Sequence, residues 1–426
     1  MSREKKIYLV SLIFIIIIIL PLIKTIFILK EGVTIAKFFY GFVMVIVSFK
    51  YLTRKISLPI YKINIYIFLF FCWALFRFLI TYAEYFNPQN SLSIEKSYFF
   101  NENFSFLMIV LLSTFLIFYI DLFNSNQLED VFKIILKVLP IGILIIMIYA
   151  LFFNLSTADW FGLKRASIKG SDPNELSCIM SSLSSVFIFN ILIKKKNIKS
   201  LLINLIGIFL NLYIISILTI SKSGFIISIL PFVIYLLYLY HLGDKKYLNK
   251  SYSMIIILLS IFILIQFKII NLDYLKIRYF GNDINRFNDP FWYITSGRSN
   301  TWLSGILGFL RRPILGVGSS DLIEMDFLMK INNNYSVSHN LYISLLVQYG
   351  IIGFFIFSAI IYETFKDINL YIKYNLYLLA PVMILILLLV SGLSLSWVKR
   401  EIIWIFIGIV NGLKLGMKKN NIKKLI

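Results

Sequence analysis

The stretch SLLINLIGIFLNLYIISILTISKSGFIISILPFVIYLLYLYH, Ser200–His241, decides the fold class. It holds two apolar runs, 200–218 and 224–240, separated only by Thr219–Ser223. Each run is continuous, and about 18 apolar residues are enough to cross a bilayer as a helix. A membrane barrel would instead alternate apolar and polar residues over shorter segments. The pair therefore reads as a tight helical hairpin in a membrane. The pattern recurs along the chain, at about 7–27, 33–49, 63–81, 104–123, 131–153, 175–193, 252–270, 340–362, 376–394 and 401–417. Of the 426 residues, 59% are hydrophobic, and the mean hydropathy is +0.84. Soluble domains are less apolar than this. The expected fold is all-α: a polytopic helical membrane protein of about twelve transmembrane helices, one bundle over 1–426.

The net charge of +21 would suggest nucleic acid in a soluble chain. Here the lysines lie between apolar runs, where positive charge sets topology, and no basic domain stands apart to bind nucleic acid. Lys5 and Lys6, Lys50 to Lys62, Lys194 to Lys199, Lys245 to Lys250, Lys366 and Lys373, and the tail from Lys414 fall on one side of the bundle. The opposite short connectors are poorer in Lys and Arg. Both termini are expected in the cytoplasm, with the chain in the cytoplasmic (inner) membrane. The N-terminus resembles a signal peptide, but no small-residue cleavage site follows, so it reads as an uncleaved first span. Cys72 and Cys178 fall in or at apolar runs and suggest neither a disulfide nor a metal site.

One long aqueous break, 271–338, interrupts the pattern and ends at His339, one of two histidines. Topology places it outside the membrane. Within it, Trp302, Ile306, Phe309 and Leu310 share a helical face, so 301–310 is expected as a short interfacial helix. Arg311-Arg312-Pro313 and Gly316-Val317-Gly318 follow. The paired glycines read as a turn first, since an isolated G-x-G is weak evidence for a phosphate cradle. Ser171-Asp172-Pro173-Asn174-Glu175, just after Lys164-Arg165, is a helix start with a capping residue, a first-turn proline and an acidic residue at the positive end. Lys222 opens the eighth run against the helix dipole, which favours an anion-binding reason. Arg77 is an intramembrane charge, a functional hypothesis by default, although snorkelling is an alternative for it. Taken alone, His339 reads as an interfacial polar residue.

Together these positions resemble the O-antigen ligase/polymerase family. The signature is carried by Gly297-Arg298-x-x-x-Trp302, Pro313-x-x-Gly316-x-Gly318, His339-Asn340 and Gln348-x-Gly350-x-x-Gly353. Arg165 before Asp172-Pro173-Asn174, and Thr219-x-Ser221-Lys222, resemble two further motifs, with Lys222 where the family has arginine. The resemblance implies a C-type glycosyltransferase-like membrane enzyme that uses polyprenyl-diphosphate-linked glycans as donor and acceptor. It needs no cofactor and no metal, and a chain-length regulator and a flippase are expected partners. By the same resemblance, Arg298 and Arg165 would stabilise the departing diphosphate. Lys222, Arg311 and Arg312 would assist, Asn340 would contact substrate, and His339 would act on the acceptor hydroxyl as base or orienting group. Polymerisation of O-antigen or capsular repeat units is the leading expectation. Ligation of the glycan to lipid A-core is the alternative, and a polysaccharide flippase is a third.

Overall fold

The computed structural model describes residues 3–23, 28–30, 33–54, 61–85, 96–123, 125–153, 155–160, 163–168, 173–193, 198–219, 221–241, 298–332, 337–396 and 398–425. Eleven of the expected apolar runs coincide with helices: α1 (Arg3–Ile23), α2 (Ile35–Arg54), α3 (Lys62–Tyr85), α4 (Lys96–Asp121), α5 (Ser125–Phe153), α6 (Pro173–Ile193), α7 (Ile198–Tyr213), α8 (Lys222–His241), α11 (Leu341–Phe365), α13 (Leu379–Ser391) and α14 (Glu401–Leu425). Between α8 and α11 lie α9 (Arg298–Arg311) and α10 (Asp321–Asn332), and a short α12 (Ile368–Tyr374) follows α11. The ninth expected run, 252–270, and positions 271–297 lie outside the described residues.

Among the described residues, five helical stretches are long and apolar enough to cross a membrane: Lys62–Tyr85, Tyr98–Asp121, Asn126–Tyr149, Pro173–Leu192 and Leu341–Lys373. Five further apolar helices are shorter. Among the described residues the architecture is helical as expected, with two short antiparallel hairpins beside the helices, β1 (Ile28–Lys30) with β2 (Val33–Thr34) and β3 (Leu155–Trp160) with β4 (Leu163–Ile168). Both lie in connectors, where strand pairing gives the backbone groups partners that a helix would otherwise supply. A helix, α9, covers the 301–310 stretch, and a second helix, α10, follows it. Asp321 and Glu324 occupy the first turn of α10, where acidic residues suit the positive helix end.

Small residues set the closest helix crossings. Gly408, Gly412 and Gly416, spaced by four on α14, face Ser113, Leu116 and Ile120 of α4 and Leu128 of α5. A Cβ at Gly408 would lie 2.8 Å from the Ser113 carbonyl oxygen. This is the small-xxx-small packing used where lipid removes the hydrophobic drive between helices. Around it, Phe70, Phe106, Tyr349, Phe357 and Trp404 form an aromatic cluster with centroids 5.2–6.2 Å apart. It joins α3, α4, α11 and α14. The expected hairpin of the seventh and eighth runs is present, but α7 and α8 pack chiefly on α6 rather than on each other. At the α6–α8 crossing a Cβ on Gly224 would meet the Ser177 hydroxyl at 2.5 Å, and the Ser181 hydroxyl donates to the Gly224 carbonyl at 3.0 Å.

Candidate functional site

Four contacts gather the ends of separate helices at one end of the bundle. Arg312 pairs with Glu84 at the end of α3 at 3.1 Å. Lys399 pairs with Glu102 of α4 at 2.6 Å, and Arg400 with Glu175 of α6 at 2.7 Å. Ser221, which precedes α8, donates to the Asn174 side chain of α6 at 3.1 Å. Charge bias assigns all of these connectors to a common side.

The glycine motifs have a backbone function. Gly350 interrupts α11 at φ 67°, ψ −172°, so the bond from the Ile351 amide to the Val347 carbonyl is lost. The 313–317 loop supplies both missing partners. Ile351 N donates to the Pro313 carbonyl at 2.8 Å, and Val317 N donates to the Val347 carbonyl at 2.7 Å. Gly316, at φ 76°, would place a Cβ 2.6 Å from the Gln348 carbonyl oxygen. The P-x-x-G-x-G turn and the Q-x-G helix break are therefore mates, joined backbone to backbone with each orphaned group satisfied. Arg77, 1% exposed, donates from Nη2 to the Gly316 carbonyl at 3.2 Å. It is buried behind this turn, and the snorkelling alternative does not hold for it.

α9, which begins at Arg298, lies against the histidine segment. The Thr301 hydroxyl lies 2.8 Å from the Arg298 carbonyl and 3.4 Å from the Ser338 carbonyl. Gly305 on the same helix comes against Ile343 and Ser338. Arg298 and His339 are both half-buried. His339 has φ 47°, a left-handed conformation uncommon for a residue with a Cβ. Next to it, the Asn340 side chain caps α11, accepting from Tyr342 N at 2.9 Å and Ile343 N at 3.1 Å, and it donates to the Leu393 carbonyl at 3.0 Å. Arg311 is exposed. Arg312 is half exposed in its pair with Glu84.

The other two basic positions come from the α6 side. Arg165 lies in β4, in register with Ala158, and β4 runs beside α6 and the π-helical turn Ile214–Thr219. Lys222 is the first residue of α8. The two motifs that carry them touch through Ser221 and Asn174, and Pro173 opens α6 as its sequence position implies. Arg400 and Glu175 join this group to the α10 side.

Sequence reasoning missed the carboxylates that support the site. Glu324 of α10 is fully buried. Its Oε1 accepts from Ser338 N at 2.9 Å and from the Ser338 hydroxyl at 2.7 Å. Its Oε2 accepts from Gln348 Nε2 at 2.7 Å, and the same nitrogen reaches Asp321 at 2.8 Å. Burial, with Asp321 nearby, holds the Glu324 carboxyl above its ordinary value against the hydrogen bonds it accepts. Burial alone would lower Lys399, but Glu102 and Asp321 hold its ammonium above the usual lysine value. Glu175 raises Arg400 in the same way. The signal present in sequence was the i, i+3 pair Asp321 and Glu324 on one helix face. Among the described residues, no group of three or more His, Cys, Asp and Glu side chains is placed to hold a metal ion.

Residues 205–358 match the family model described as O-antigen ligase. This segment is an O-antigen ligase family domain. It includes Lys222, Arg298, the paired glycine motifs and His339-Asn340, and the Arg165 strand precedes it. No curated protein sequence matches the chain. The domain brings an O-antigen ligase/polymerase type of function, glycosyltransferase-like, with lipid-linked glycan substrates in a membrane. With its apolar helices, the chain is a multi-pass membrane protein.

Proposed function

We propose that this O-antigen ligase family protein is a repeat-unit polymerase. It would transfer a growing polyprenyl-diphosphate-linked glycan onto the next lipid-linked unit at the outer face of the cytoplasmic membrane. The carrying observation is the contact of Thr301, one turn after Arg298 on α9, with the carbonyl of Ser338, the residue before His339. In the proposed reaction the acceptor hydroxyl oxygen forms the new bond to the anomeric carbon, and the bond from that carbon to the diphosphate oxygen breaks. His339 takes or orients the hydroxyl proton. Arg298 and Arg165 stabilise the negative charge gained by the lipid diphosphate with fixed guanidinium donors. Lys222 adds a point charge where an arginine would offer a fork, and Arg311 and Arg312 flank the exit of α9.

Twelve spans, both termini in the cytoplasm and an external site belong to the same proposal. The ion pairs Arg312–Glu84, Lys399–Glu102 and Arg400–Glu175 support it, because they join connectors of one predicted side. The tilt to polymerase rests on composition, the abundance of Ile, Lys and Asn. Ligation of the glycan to lipid A-core is the second reading, favoured by the description of the matched family. Deletion of the gene separates the two. Single-repeat glycan still reaching its attachment point supports polymerase, and loss of all attached chains overturns it in favour of ligase.

A further inference from the structure

Glu324 lies outside the motifs that carry the family resemblance, and it is buried away from any substrate-facing position. Yet its one carboxylate binds the residue before His339 twice, through both backbone and side chain. On the far side of His339, Asn340 is fixed by the start of α11 and by the Leu393 carbonyl. Between these two clamps the histidine backbone sits at φ 47°, a conformation that persists for a bulky L-residue only where its surroundings impose it. The carboxylate is itself anchored. Gln348 bridges it to Asp321, and Lys399 holds the start of α10 through the Ser319 carbonyl at 2.7 Å and through Glu102. The Ser338 hydroxyl continues to Ser344 at 2.8 Å, and Ser344 to Ser396 at 2.9 Å.

We propose that Glu324 is a positioning residue for glycan transfer, which fixes the aim of His339 by gripping Ser338. The proposal rests on the assignment of His339 to the transfer site. A misplacement of about 1 Å at a reacting group can lower a rate by about 100-fold, and loss of this grip frees the left-handed backbone to relax by such an amount. Glu324→Gln is the conservative probe. The amide oxygen it introduces remains an acceptor for Ser338, and the amide nitrogen can donate to Gln348 Oε1 after that side chain turns over. That oxygen is buried without a hydrogen-bond partner in the native arrangement.

The test uses the full chain purified in detergent, with the lipid-linked unit extracted from cells that lack the protein as substrate. Glu324→Ala is expected to lower kcat by about 100-fold with KM little changed. Glu324→Gln should recover to within about tenfold of wild type, the value of about one net hydrogen bond. Ser338→Ala should add little in the Glu324→Ala background, because both act through one contact. Asn411→Leu, which removes a buried hydrogen bond to Thr364 on α11, away from the site, controls for lost stability and should keep wild-type kcat. Wild-type kcat in Glu324→Ala, or equal loss in the Ala and Gln variants, overturns the proposal. His339→Ala is run in parallel: if it stays active, the transfer-site assignment itself fails. If it is inactive while Glu324→Ala is not, the positioning role alone fails.

Discussion

Gly350→Ala isolates the joint between the two glycine motifs. At φ 67°, ψ −172° the backbone lies in a region open essentially to glycine, and an alanine there costs about 1–3 kcal/mol. The new Cβ would also run into the Ile314 carbonyl, a backbone group that cannot swing aside as a side chain does. Relieving the clash means withdrawing the 313–317 loop. That gives up the Ile351 to Pro313 and Val317 to Val347 bonds, at about 1 kcal/mol each. The sum is about 3–5 kcal/mol. Gly41→Ala is the matched control, since Gly41 lies within α2 and a Cβ there meets nothing within 4 Å. Alanine favours a helix interior by about 1 kcal/mol over glycine, so this variant should be neutral or slightly stabilised. Thermal unfolding of the two purified proteins in detergent reads the difference: Gly350→Ala should melt several degrees below wild type, and Gly41→Ala should not. A Gly350→Ala protein with the wild-type midpoint would refute the docking of loop into helix break.

Lys399→Ala should destabilise by about 3–5 kcal/mol, because it leaves the largely buried Glu102 without its cation. Joint replacement with Glu102→Gln should recover part of the loss in a thermal-shift comparison. The same lysine predicts an alkaline limit. Its folded value is raised, so its stabilisation is complete below the unfolded value of about 10.4 and is lost as pH rises through the folded value. As pH rises above about 10.4, the midpoint of the wild type should therefore fall more steeply than that of Lys399→Met. Arg312→Ala removes a half-exposed pair with Glu84 and should change stability by no more than about 1 kcal/mol, measured by the same unfolding assay.

The helices were legible because continuous apolar runs leave the backbone no other way to satisfy its hydrogen bonds in lipid. Pro173 fixed the start of α6 for a local reason, the missing amide at a first helical turn. The residues proposed for transfer, Arg298 and His339, were conspicuous in the sequence through their flanking motifs. Their supports were not. Glu102 and Lys399 are far apart in the chain, and each alone reads as a connector charge. Glu324 stands in no motif of the sequence, and only the closing of Ser338 and Gln348 over it marks it. Gly316 announced a turn and Gly350 stood only in a motif within an apolar run; that they were partners depended on how α11 meets the loop, which no local pattern encodes. Arg77 was conspicuous as an intramembrane charge, while its acceptor, the Gly316 carbonyl, lies well beyond local range.

The proposed polymerase has Arg298 and His339 act together on a lipid-linked glycan. The most direct measurement is polymer formation from the isolated lipid-linked unit by purified wild type, Arg298→Ala and His339→Ala, at matched folded concentration. The wild type should give a ladder of lengthening glycan with release of lipid diphosphate, and the two variants neither product above background. Wild-type ladders from both variants would contradict this joint role.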